Sequence, residues 1–343
     1  MAVREPPFWW RPAGIEACLL TPAAAVYGAV AASRLGREGY RAGVPVICIG
    51  NPTLGGAGKT PTALTVAHML KAAGEQPVFL SRGYGGRQRG PLLVAPDRDR
   101  AADVGDEPLL LARTAPTVVA HDRVAGAKAA QATAASVIVM DDGFQNPALA
   151  KDFSVLVIDG RRGLGNSRVF PAGPLRAPLD AQFARADAVI LVGKVEEDVA
   201  AASAVAEARK LPLFYARLDP NREAIAALTG RRVLAFAGIG DPEKVFATLR
   251  EAGIAVAATR SFADHHRYTL ADARDLCRQA DAEGLTLVTT EKDMSRLQGE
   301  VALAELAGRA RVLPVGLVFA QEAALGKLLI DRIAAARAAR LTA

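Results

Sequence analysis

The tightest constraint on this chain is a strand signal that runs into a glycine-rich turn and then into a helix signal. Residues 44–49 read Val-Pro-Val-Ile-Cys-Ile, a short apolar run of the kind buried as a parallel strand. Gly50, Asn51 and Pro52 follow, and then Thr53, Leu54, Gly55, Gly56, Ala57, Gly58, Lys59 and Thr60, with a helix expected over residues 60–73. Glycines permit positive φ, so backbone N–H groups can converge on phosphate oxygens, and the helix N-terminus adds partial positive charge. Residues 53–60 are therefore expected to cradle nucleotide phosphates. Lys59 would bridge the β- and γ-phosphates, and the Thr60 hydroxyl would ligate Mg²⁺. The usual pattern starts with Gly where Thr53 stands, so Gly55, Gly56 and Gly58 must supply the flexibility.

A phosphate cradle needs an acidic partner. Residues 137–140 are a buried strand that ends in Asp141 and Asp142. Adjacent residues of an extended chain point to opposite sides. One aspartate is expected on the metal and the other toward the site opening. Further strands are expected over residues 76–80, 117–120, 155–158 and 188–192, with a helix over 122–134. This alternation predicts a P-loop NTPase-like α/β fold, a mostly parallel sheet with helices on both faces.

A second group of strands and helices begins after Pro220. Strands are expected at 232–237, 255–261, 285–290 and 312–315, and helices at 242–253 and 269–283. The 343-residue length suits more than one core. The expected organisation is an N-terminal membrane-surface helix (1–36), a kinase core (37–225), a smaller α/β domain (226–317) and a C-terminal helix packing back on the core (318–343).

The N-terminus is unusual. Phe8, Trp9 and Trp10 sit between Arg4 and Arg11, and residues 13–32 carry one charge, Glu16. The stretch is Ala-rich and contains Pro22, so it is only weakly hydrophobic for a bilayer span. It reads as a helix lying on a membrane, with the tryptophans at headgroup level and Arg34, Arg37 and Arg41 toward anionic lipid. The alternative is a helix packed on the core. The net charge of +6 favours anionic partners, but no basic run or signature of a nucleic-acid binder is present. Three scattered cysteines form no disulfide or zinc pattern.

Several segments then match one family. They are Leu80-Ser81-Arg82-Gly83-Tyr84-Gly85-Gly86, Gly105-Asp106-Glu107-Pro108, Asp141-Asp142-Gly143-Phe144-Gln145, Pro171-Ala172-Gly173-Pro174-Leu175-Arg176, Phe262-Ala263-Asp264-His265 and Val288-Thr289-Thr290-Glu291-Lys292-Asp293. With the Thr-Leu-Gly-Gly-Ala-Gly-Lys-Thr-Pro loop, the chain resembles the tetraacyldisaccharide 4'-kinase family of lipid A biosynthesis, from about residue 8 to 315. The resemblance implies ATP as donor, Mg²⁺ as cofactor and the 4'-hydroxyl of tetraacyldisaccharide 1-phosphate as acceptor. The product would be lipid IVA, and the place the cytoplasmic face of the inner membrane.

The resemblance also implies roles. Asp106 is expected as the base, paired with His265, with Lys59 and Asp142 completing the catalytic set. On the residues alone, Asp106 reads rather as the N-cap of a helix over 107–113, and it is the resemblance that favours the base. Arg82 and Tyr84 follow a strand and are expected to hold the disaccharide or its 1-phosphate, while Arg123 and Arg176 suit anionic oxygens. Thr290–Asp293 would contact the nucleotide base or close the cleft. The family pattern has Glu where Ala177 stands, so Asp159 or Glu107 is expected to substitute in the metal shell. The Thr-Glu-Lys-Asp run does not fit the guanine-reading pattern of a GTPase.

Overall fold

In the structure, a computed structural model, residues 5–193 and 200–342 are described. Arg4 lies outside them. The strands are β1 (Val46–Gly50), β2 (Pro77–Ser81), β3 (Leu92–Leu93), β4 (Thr117–Val119), β5 (Val137–Asp141), β6 (Phe153–Asp159), β7 (Ala188–Val192), β8 (Leu213–Pro220), β9 (Arg232–Ala237), β10 (Ala255–Ser261), β11 (Thr286–Thr290), β12 (Arg311–Leu313) and β13 (Val315–Phe319). The helices are α1 (Ile15–Leu35), α2 (Lys59–Ala72), α3 (Ala101–Val104), α4 (Asp106–Ala112), α5 (Arg123–Gln131), α6 (Leu179–Phe183), α7 (Ala200–Ala208), α8 (Arg222–Leu228), α9 (Pro242–Glu251), α10 (Leu270–Glu283), α11 (Glu291–Leu297), α12 (Ala304–Arg309) and α13 (Glu322–Leu341).

Nine strands form one sheet in the order β13-β8-β7-β6-β1-β5-β2-β4-β3. Its interior pairs are parallel, and only the two edges, β3 on β4 and β13 on β8, are antiparallel. Strand side chains alternate between faces. Cys48, Leu80, Ile138, Met140 and Leu156 therefore enter a core under α5, α6 and α7. Ile47, Ile49, Phe79, Val139 and Val155 enter a second core under α2 and α13. Burial on both faces explains why these strands read as apolar runs.

The second sheet runs β10-β9-β11-β12, all parallel. Leu234, Phe236 and Leu287 pack under α10 to α12, and Val233, Ala235 and Val288 pack under α8 and α9. The single strand expected over 312–315 is instead two. Pro314 has no N–H to continue a ladder. The chain breaks there, leaving β12 in the small sheet and β13 in the large one.

Helix α1 lies on the protein through small residues. Ala17, Ala24 and Gly28 are buried, and Gly28 faces Val169 and Pro178. Its other side leaves Ile15 78% and Leu19 77% exposed, with Val26 and Val30 also open. By length and composition it is apolar enough to cross a membrane. The tryptophans do not sit as expected. Trp9 is buried, donates its indole N–H to the Pro171 carbonyl at 3.0 Å and packs edge-on against Phe170. Trp10 donates to Glu5 at 3.1 Å and lies under the Arg162 guanidinium. Both indole N–H groups find partners within the protein, as a buried polar handle requires, so the exposed apolar surface belongs to α1 instead.

Gly50 closes β1 against the loop that follows β5. A Cβ there would stand 2.3 Å from Phe144 Cβ. Gly50→Ala should lower unfolding free energy by about 1–3 kcal/mol, as overpacking does. Gly326→Ala in α13, where a Cβ meets nothing within 4 Å, should raise it by about 0.5–1 kcal/mol. Denaturant titration of the two variants checks both signs.

Candidate active site

In a parallel sheet the loops at the carboxyl ends of the strands build the site. Register places Ile49 of β1 beside Asp141 of β5, so the glycine-rich loop and the two aspartates start at the same level. Gly55 (φ 96°) and Gly58 (φ 89°) take left-handed backbone, and Gly58 caps α2, whose first residues are Lys59 and Thr60. Thr53 is not among the left-handed residues, so glycine is not required there. It is bridged to Leu175 instead, and Leu54 N–H donates to the Pro174 carbonyl at 2.8 Å. Asn51 holds the turn from inside. Its amide donates to the carbonyls of Thr53 at 2.6 Å and Gly55 at 3.2 Å, and its oxygen accepts from Lys59 Nζ at 3.1 Å.

Around Lys59 the charges are crowded and mostly paired. Asp142 accepts from Arg176 Nη1 at 2.8 Å and lies 3.7 Å from Lys59 Nζ. Burial opposes its ionisation, but Lys59 and Arg176 prevail and hold its pKa down to about 2. Arg176 also donates Nε to the Thr53 carbonyl at 2.9 Å, so one guanidinium ties the loop to Asp142. Glu107 pairs with Lys292 at 2.6 Å. Asp141 is the exception. It is 1% exposed, and neither carboxylate oxygen has a hydrogen-bond partner among the described residues. Burial, then Glu107 and Asp142, push its pKa up to about 7.

A buried carboxylate with no donor is expensive unless a cation joins it. Thr60, also buried, heads α2 with Lys59 and lines the same cavity as Asp142. Among the described residues no cluster of three or more His, Cys, Asp or Glu side chains forms a metal cage. One carboxylate, one hydroxyl and the nucleotide's own oxygens are the donor set suited to Mg²⁺, so the residues fit that ion. At position 177 the alanine is fully buried and its carbonyl accepts from Gln182. Of the two expected substitutes, Glu107 lines the central cavity beside Asp142, while Asp159 is paired with Lys244.

Asp106 does not cap its helix. Gly105 (φ 92°) is the N-cap of α4, and the Asp106 side chain makes no capping bond. The carboxylate is 3% exposed, with Oδ1 3.3 Å from His265 Nδ1 and Oδ2 accepting from Arg296 Nε at 2.8 Å. Burial disfavours its charge, but His265, Arg296 and Lys292 hold the pKa well below the usual carboxylate range. Burial likewise opposes a charged His265, and Asp106 outweighs it, so the imidazole pKa lies above its ordinary value. His265 (φ 54°) and Asp142 (φ 52°) both adopt left-handed backbone, which is sparsely allowed for such residues and gathers at functional sites.

A cavity of about 440 Å³ joins these parts. The glycine-rich loop, Lys59, Thr60, Asp142 and Arg176 line one end, and Leu218, Val245, Leu313 and Val315 line another. Tyr84 and His265 border both this cavity and a second one of about 310 Å³ that Asp106 also lines. The Tyr84 and His265 rings lie 4.9 Å apart. Arg82 is exposed, whereas Arg123 is 2% exposed and donates to the Ala120 carbonyl. The structure thus gathers Lys59, Thr60, Asp141, Asp142 and Arg176 at one place and Asp106, His265 and Tyr84 beside it. Thr290 caps α11, and Glu291 and Lys292 line the cavity while Asp293 is bound to Tyr268 and Arg296.

Sequence reasoning missed Asn51 and Arg296. A signal for the second was present: Asp293 and Arg296 stand three apart within the short helix α11, the spacing at which two side chains meet.

The chain matches the sequence model of the family described as tetraacyldisaccharide-1-P 4'-kinase over residues 16–334. It is 56% identical over 98% of its length to the tetraacyldisaccharide 4'-kinase of Nitrobacter winogradskyi, which it covers to 99%. It is 55% identical to that of Rhodopseudomonas palustris strain BisB5, with 98% of each chain covered. Its structure is similar to a crystal structure of Aquifex aeolicus LpxK in complex with ATP, with TM-score 0.71, 26% identity, and 92% of this chain and 99% of that one covered.

Arg296 is 9% exposed and holds both Asp106 and Asp293. Arg296→Met should cost about 3–5 kcal/mol of stability by leaving buried charge uncompensated. Thermal or denaturant unfolding at pH 7 measures it.

Proposed function

The chain belongs to the tetraacyldisaccharide-1-P 4'-kinase family, and from that premise we infer the reaction and the part its own residues take in it. The protein is an ATP-dependent kinase of lipid A synthesis that phosphorylates the 4'-hydroxyl of a tetraacyldisaccharide 1-phosphate, giving lipid IVA. The observation that carries the reading is one cavity bordered by both the phosphate loop with Lys59 and the His265 ring that backs onto Asp106.

The backbone of residues 53–60 holds the phosphates, and Lys59, oriented by Asn51 and Asp142, spans the β- and γ-positions. Thr60 and Asp141 would hold Mg²⁺, which neutralises charge on the phosphates when bound. The 4'-oxygen forms a bond to the γ-phosphorus as the bond from that phosphorus to the β–γ bridging oxygen breaks and ADP leaves. The hydroxyl proton passes to the Asp106–His265 pair. His265 faces the cavity and Asp106, with both oxygens engaged behind it, orients and charges the ring. Arg82, Tyr84 and Arg123, grouped with the loops after β2 and β4, are assigned to the acceptor. Arg176 acts through the loop and Asp142.

The open apolar side of α1 meets the membrane that carries the acyl chains, at the cytoplasmic face of the inner membrane. That geometry keeps the sugar head beside the cavity while the lipid tails stay in the bilayer.

Full-length protein supplied with γ-labelled ATP, Mg²⁺ and tetraacyldisaccharide 1-phosphate in detergent micelles should label the lipid. Labelling of a water-soluble sugar with none on the lipid contradicts the reading. Because Asp106 raises the His265 pKa and the ring must be neutral to accept a proton, kcat/KM should rise with pH through a midpoint above the ordinary histidine value. Asp106→Asn should lower kcat roughly 10²–10⁴-fold and move that midpoint down, with ATP binding retained. A pH-rate series with equilibrium ATP titrations checks all three.

A further inference from the structure

Glu291 lines the 440 Å³ cavity at Val315 of β13, four strands along the sheet from β1 and its phosphate loop. It is the first residue of α11, fixed by the Thr290 cap. One oxygen, Oε2, accepts the Val315 N–H at 3.4 Å, a long bond, and no partner is found for Oε1 among the described residues. Leu218, Leu313 and Val315 line the same cavity, Leu313 paired in register with Thr290 just before it. Burial pushes its pKa up. The other charged groups of this cavity are engaged: Lys59 by Asp142, Lys292 by Glu107, Lys244 by Asp159 and Asp241 by Arg161.

A nucleotide with its phosphates on residues 53–60 extends its base away from them, toward these apolar residues of β8, β12 and β13. Flat apolar walls with one placed polar group are how such pockets orient a planar ligand. We propose that Glu291 reads the purine base, its free oxygen accepting a hydrogen bond from the 6-amino group of adenine. A 6-oxo purine would set a carbonyl oxygen against the carboxylate, acceptor against acceptor, and be rejected. Glu291 is then the specificity residue for an adenine nucleotide, an inference that rests on the kinase reading above.

The bland alternative is a clip, in which Glu291 only satisfies the Val315 N–H. Nucleotides that differ at position 6 separate the two. Lipid phosphorylation would be measured with ATP, with purine riboside 5'-triphosphate, which lacks the 6-amino group, and with inosine triphosphate, which carries a 6-oxo group. The wild-type chain should prefer ATP over each by about 10- to 100-fold in kcat/KM. Glu291→Ala should treat ATP and the purine riboside nucleotide alike. Glu291→Gln keeps an acceptor for Val315 and gains an amide donor, so it should use inosine triphosphate at least tenfold better relative to ATP than the wild-type chain does. Equal loss with all three nucleotides, the preference for ATP intact, overturns the proposal. So does a Glu291→Gln variant that still rejects inosine triphosphate. Failure of every nucleotide to label the lipid in the wild-type chain would instead strike the kinase reading itself.

Discussion

Three carboxylates, Asp141 buried and Asp142 and Glu107 partly buried, crowd the carboxyl ends of β1 and β5, and the site is organised by how each is compensated. Asp142 has Arg176 and Lys59, and Glu107 has Lys292. Asp141 has no hydrogen-bond partner among the described residues, and Lys59 and Lys292 act on it only through space. Like charges in a low-dielectric place cannot all remain ionised without cations. Asp141 is therefore the one of the three whose charge has no direct ion pair or hydrogen bond among the described residues. The rest of the neighbourhood serves this balance. Residues 174–176 fasten the loop, Asn51 fixes its turn, and Gln182 donates to the Pro52 carbonyl.

The same requirement explains why the small sheet belongs to the site. Helix α11 follows β11 and sends Lys292 to Glu107 and Arg296 to Asp106, both on the large-sheet helix α4. On the other side of the cavity, Asp241 and Lys244 of the small unit meet Arg161 and Asp159. Without Arg296 the buried Asp106 of α4 would be strongly destabilising. In the proposed reaction the same contacts bring His265 to the cavity. Charge compensation and catalysis thus draw on one set of side chains.

Much of this was legible in the sequence because local rules and tertiary structure agree. The apolar run before the glycines became β1, the helix began within a residue of its expected start, and the strand ending in two aspartates lies next to β1. Departures came where a local reading has two outcomes. Asp106 has the sequence context of a cap, yet Gly105 takes that position and frees the carboxylate. Trp9 has the composition of a membrane anchor, but its indole finds a carbonyl inside the protein. Strand β13 was read as part of the small domain, because nothing within residues 312–319 says which sheet will receive them; Pro314 marks the crossing only once both ladders are seen. Asn51 and Arg296 act through contacts distant in sequence or hidden in a turn, so periodicity does not expose them.

The proposed reaction requires Asp141 to take a divalent cation brought with the nucleotide. Calorimetric titration of ATP into the wild-type chain and Asp141→Asn, each with and without Mg²⁺, tests it most directly. The account predicts that Mg²⁺ tightens ATP binding to the wild-type chain and that the amide variant loses this gain while binding metal-free ATP as well or better. An equal Mg²⁺ dependence in both proteins would contradict it.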